Sequence, residues 1–167
     1  MSQTPDPLPA PAGTADERTI LEGFLEQYRA ILMRKTSGLT DDQARKRLVA
    51  SGTTVAGLVR HLGWVEEAWF AETLDGGPRP AWRDEAPEQQ FEPGDEPIDQ
   101  LLADYLAACE RSREVAARHA LDDTGAHPRL GTVSLRWIYA HMIEELARHA
   151  GHIDILREQI DQTVGFD

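Results

Sequence analysis

One cysteine, two lysines and no long apolar run mark what this 167-residue chain lacks. Cys109 stands alone, so neither a disulfide within the chain nor a cysteine-built zinc cluster can form. Set near Leu102, Tyr105 and Leu106, it reads as a small buried hydrophobe rather than a nucleophile. No stretch approaches the roughly 20 apolar residues that cross a bilayer, so no membrane is expected as a partner. Positive charge is scarce: 17 Lys and Arg stand against 29 Asp and Glu, for a net charge of −12. With no basic face to neutralise phosphates, nucleic acid is excluded as a partner. Met1 to Gly13 carries Pro5, Pro7, Pro9 and Pro11 and no basic residue, unlike a signal or transit peptide. Residues 1–14 are therefore expected as a disordered tail, 15–167 as one domain, and the location as cytoplasmic.

Strand-like alternation of useful length is also missing, and four segments show helical periodicity instead. The first runs from about Asp16 to Ser37, with Ile20, Phe24, Leu25, Tyr28, Ile31 and Leu32 as its apolar stripe. Thr40-Asp41-Asp42-Gln43 reads as an N-cap opening a brief helix. The second long helix spans about Thr54 to Leu74, with Val55, Leu58, Leu62, Val65 and Trp69 on one side. Asp75 to Glu96 is irregular and rich in Pro, Gly and acid, yet it holds Trp82 and Phe91. It is either a solvated linker or a segment folded back as a lid. A third helix is expected over about Pro97–Ala120, a loop over Leu121–Gly131 and a fourth helix over about Thr132–Gln162. Long helices on short connections imply an all-α fold, a four-helix bundle with one long irregular connection after its second helix.

The fourth helix concentrates His141, Glu144, Glu145, His149 and His152 within three turns. At about 100° per residue, the apolar stripe Leu135, Ile138, Met142, Leu146, Ile153, Leu156 and Ile160 has one centre. Glu145 and His149 fall inside it, His141 and His152 on its edge, and Glu144 points to water. A carboxylate facing a helical interior must be paired, protonated or metal-bound. Glu145 and His149, four residues apart, present their donor atoms from adjacent turns on one side. Two readings stay open: a metal site, or a buried Glu145 hydrogen-bonded to His149 or an arginine. A third ligand would have to come from another helix. His61, the only histidine of the second helix, lies near the border of its apolar face, where a residue of a helix–helix seam lies. His119 and His127, at a helix end and in a loop, read as surface residues.

The stretches Leu58-Val59-Arg60-His61-Leu62-Gly63-Trp64-Val65-Glu66 and His141-Met142-Ile143-Glu144-Glu145-Leu146-Ala147-Arg148-His149-Ala150-Gly151-His152 resemble the two signature segments of DinB-like proteins. More narrowly, they resemble the branch related to mycothiol S-transferases and mycothiol-dependent maleylpyruvate isomerases. The resemblance covers about Ala15 to Glu158. It implies a four-helix bundle, often dimeric, with a metal held by His61, Glu145 and His149. Most relatives carry His where this chain has Glu145, while the isomerases carry Glu there. Whether His152 joins or replaces a ligand stays open.

Two imidazoles and one carboxylate leave coordination positions free, the catalytic pattern for zinc, though the same set also serves non-haem iron. The resemblance implies a low-molecular-weight thiol, mycothiol or a relative, attacking an electrophile with the aid of a divalent metal, zinc first. His152 would be the proton carrier or a group supporting the ligands. Peptidase chemistry is the weaker enzyme alternative, because Glu145-x-x-x-His149 is not His-Glu-x-x-His. A non-catalytic, stress-related metal-binding bundle is the alternative of another class.

Overall fold

The computed structural model describes residues 11–84, 86 and 89–164, and residues 1–10 of the expected tail lie outside them. The fold is mostly helical. Asp16 opens the first helix, α1 (Glu17–Thr36), by accepting from the Thr19 backbone N–H at 3.1 Å. Thr40 and Gln43 form a reciprocal capping box on the short α2 (Asp41–Ala44), as their spacing implies. The Thr54 hydroxyl caps α3 (Val55–Glu66) by accepting from Gly57 N–H at 3.0 Å.

The second long helix does not stay α-helical to its end. From Glu67 to Leu74 it widens to a π-helix, closed by Asp75 N–H donating five residues back to the Phe70 carbonyl at 3.1 Å. Such widenings are rare and recur at functional sites. This one carries Trp69, which faces the cleft described below. Two 3₁₀ turns, Ala81–Asp84 and Gln89–Phe91, precede α4 (Ile98–Ala116).

The expected loop at Leu121–Gly131 is the main correction. With the three residues after it, that segment forms a small antiparallel hairpin of β1 (Thr124–His127) and β2 (Gly131–Ser134), within a fold that is mostly helical as expected. Strands of four residues are too short for alternation to show in sequence. Pro128 and the left-handed Gly131 (φ +75°) are the turn signals that were there to be read. A side chain at Gly125 would sit 1.9 Å from the Thr73 carbonyl, so its glycine lets the hairpin press against the end of the π-helix. The last helix, α5 (Leu135–Asp161), therefore starts three residues later than periodicity suggested, capped by Ser134.

Helix α1 packs along α5, and α3 against α4, around a core that includes Leu58, Leu62, Tyr105, Ile138, Met142 and Leu146. The α1 stripe is rotated from its expected position. Its buried line is Leu25, Arg29, Leu32 and Thr36, while Phe24 is 40% exposed. The cause is an ion pair: Arg29 Nε and Nη2 donate to the two oxygens of Glu66 at 2.8 and 2.5 Å, deep in the core. Burial opposes the charge on Arg29, but Glu66 more than offsets it and raises the pKa of the guanidinium. Glu66 was missed as a buried residue, although the signal existed. At about 100° per residue it falls beside Val55 on the apolar face of α3. Among the described residues no helix is long and apolar enough to cross a membrane.

Cys109 is fully buried, and its thiol donates to Glu66 Oε1 at 3.7 Å. Burial first, and then the Glu66 charge, push its pKa up to about 12. Thiol reactivity follows the thiolate, so Cys109 is inert at neutral pH. Iodoacetamide at pH 8 should leave Cys109 unmodified in the folded protein and label it after denaturation. Mass spectrometry reads the difference, and rapid labelling of the native chain would contradict the burial.

Candidate metal centre and adjoining cleft

Helices α3 and α5 bring His61, Glu145 and His149 together. One donor atom from each lies within 4.8 Å of the other two. His61 Nε2 and His149 Nε2 are 3.2 and 3.1 Å from the same oxygen, Oε1 of Glu145. Hydrogen bonding to His149 and then to His61 outweighs burial and holds the Glu145 carboxyl far below the usual carboxylate range. The carboxylate therefore carries its charge before any ion is considered.

The donor set fits a divalent metal. Two imidazole nitrogens and a carboxylate oxygen converge on one point, and both imidazoles are over nine-tenths buried. With bonds of about 2.1 Å, the ligands of a tetrahedral zinc stand about 3.4 Å apart, close to the two separations seen. The three groups can thus hold an ion with little movement. The alternative left open by the sequence, Glu145 simply paired with histidine, describes the same contacts without an ion.

Each ligand is held from behind in its own way. His61 stacks on Phe91 with ring centroids 4.3 Å apart, and its buried Nδ1 finds no hydrogen-bond partner among the described residues. Gly57 makes room for this, because a side chain there would meet the Phe91 carbonyl at 1.9 Å. Phe91 thus belongs to a segment folded back on α3, as does Trp82, which stacks on Trp64 at 5.0 Å. His149 is oriented by His152, whose Nδ1 lies 3.3 Å from Nδ1 of His149. His152 is exposed and stands outside the three-residue cluster. Burial, then His149 and Arg148, hold its pKa below the ordinary imidazole value.

Beside the cluster opens a cleft of about 290 Å³, with His61 and Glu145 in its wall. His127 lines it too, contrary to the surface position expected of it. The hairpin buries His127 to 5% exposure and stacks it on Trp69 at 4.6 Å. His141 also borders the cleft, edge-on to Trp69 and stacked on Trp137. Glu144 is exposed, as its angle implied. His119 stays near the surface and far from this chemistry, 3.2 Å from Asp75. The larger cavity between α1 and α4, about 340 Å³, is lined by Arg29 and Tyr139 and holds none of the three clustered residues.

A family model described as mycothiol-S-transferase matches residues 20–162, nearly the whole helical fold. No curated protein matches the chain.

Proposed function

The chain belongs to the mycothiol S-transferase family, and from that premise we propose that it is a zinc-dependent transferase joining mycothiol, or a similar small thiol, to an electrophile. The observation that carries this reading is the convergence of His61, Glu145 and His149 at the wall of a cleft. His61, Glu145 and His149 would hold the ion. The chemistry such an ion supplies is to lower the pKa of a bound thiol, so that a thiolate forms at neutral pH.

The remaining roles fall to the chain itself. Glu145, already ionised, brings one negative charge that offsets part of the ion's. With an ion in place, His149 Nε2 would give up the proton it shares with Glu145, and Nδ1–H would donate to His152 Nδ1, 3.3 Å away. His152 is the proposed proton carrier, because it touches His149 and also reaches solvent. Phe91, packed on the rings of His61 and His149, would shield these two ligands from water, while Trp69 lines the cleft. Cys109, buried and protonated, takes no part, so the nucleophilic sulfur must come from the added thiol.

The proposal extends to architecture and assembly. Residues 15–167 form one DinB-like four-helix bundle, with α3 and its π-helical end as the second helix. The protein is placed in the cytoplasm and acts as a homodimer. Trp82 and Phe91 are engaged within the chain and offer no interface. Support for the dimer comes instead from the family resemblance and from exposed Leu106 and Ile155. Light scattering should report twice the 18.6 kDa chain mass at micromolar concentration, and a clean monomer would end this part of the proposal.

The activity is tested by conjugation of a fluorogenic electrophile with mycothiol, and separately with bacillithiol and glutathione. Turnover should require both the thiol and the metal, fall to background with a chelator and return with zinc. Metal-loaded protein inactive with every thiol, across a varied electrophile panel, would favour a metal-binding bundle without turnover.

A further inference from the structure

The cleft that His61 and Glu145 line is lined also by Arg83, Arg129 and His127. Arg83 comes from the 3₁₀ turn at Ala81–Asp84, where its Nε donates to Glu72 Oε2 at 2.8 Å. Its Nη2 is buried and has no hydrogen-bond partner among the described residues. A buried guanidinium N–H without an acceptor is costly, and natural sites rarely leave one unless something fills it. Arg129, in the hairpin turn, is exposed and makes no ion pair among the described residues.

His127 completes the set. Its Nδ1 accepts from the backbone N–H groups of Arg129 and Leu130, both at 3.2 Å. An imidazole whose Nδ1 accepts carries its proton on Nε2, as a donor. Burial, followed by the charges of Arg83 and Arg129, lowers the pKa of His127 and keeps it in this neutral form. The same two charges favour an anion in front of it. Glu72 is engaged by Arg83, and Glu145 belongs to the metal cluster. On a chain of net charge −12 such a surplus of positive donors is local. The wall beside it is apolar, with Trp69 stacked on His127 and Trp82 next to Arg83.

We propose that this part of the cleft is a carboxylate subsite, in which Arg83 Nη2, the Arg129 guanidinium and His127 Nε2–H hold an anionic group carried on an apolar or aromatic body. That this body is the electrophile rests on the transferase reading above. The subsite itself does not, because its donors belong to no proposed metal ligand. Arginine suits the task, since its planar fork matches the two oxygens of a carboxylate.

The test is equilibrium binding of benzoate against benzamide to the zinc-loaded, full-length protein, followed by tryptophan fluorescence. Benzoate should bind at least about tenfold tighter than its neutral amide. Arg83→Gln should remove most of that preference and Arg129→Gln part of it. Since Arg129 is exposed, its variant keeps the test valid should Arg83→Gln fail to fold. Equal binding of the two probes, binding of neither, or no change in either variant overturns the proposal. So does loss of the benzoate preference on chelation, which would put the carboxylate on the metal. Selective benzoate binding by a protein without any conjugating activity would sink the transferase reading and leave the subsite standing.

Discussion

Replacing His149 with alanine should leave the purified protein nearly free of divalent metal while its helices stay intact. The imidazole is 6% exposed, and its Nε2 lies 3.1 Å from Glu145 Oε1, so truncation removes one of the three converging donors from the site. Two donors would remain, His61 and Glu145. Losing a mere supporting partner of a ligand already costs about 10–100-fold in metal affinity, so losing the ligand itself should cost more than about 100-fold. Elemental analysis should fall from close to one ion per chain to a few per cent, and conjugation should vanish with it. His152→Ala is the control, because that residue touches only the far nitrogen of His149. It should weaken metal binding far less. Full occupancy in His149→Ala, with loss in His152→Ala, would mean that the ligand set is wrong.

Glu66→Ala should be the most destabilising single substitution in the core. Glu66 is fully buried, and its two oxygens take the Nε and Nη2 hydrogens of Arg29, itself only 5% exposed. Truncation leaves that guanidinium buried, with Glu26 as its remaining carboxylate. Removing one partner of a buried pair costs about 3–5 kcal/mol, because the surviving charge keeps its desolvation penalty. For a chain of this size that is a fall in Tm of roughly 6–20 °C. The double variant Arg29→Met, Glu66→Leu should recover most of the loss, since it removes both charges together. Thermal melts by circular dichroism decide this, and a Glu66→Ala protein as stable as the parent would refute it. Metal content should change little in any of these variants, because Glu66 stands outside the three-residue cluster.

The chain alone was enough for whatever depends on one helix at a time. Glu145 and His149 share a face because an α-helix returns to the same side every four residues, whatever packs against it. The cap at Thr40 is equally local, since a side-chain oxygen need only reach an N–H three residues on. Burial of Cys109 followed from its small apolar character and its place among hydrophobic residues on α4. What took the tertiary structure was every choice made between elements. The α1 stripe turned away from Phe24 because Arg29 had to meet Glu66 on α3, and helical periodicity carries no information about which charge lies opposite. Trp82 and Phe91 became part of the site only because their segment folds back onto α3. His127 looked like a loop residue, and four-residue strands leave too weak a pattern to show otherwise. It is buried against Trp69 because Gly125 lets the hairpin close on the π-helix, a contact between segments about fifty residues apart that neither segment's own sequence contains.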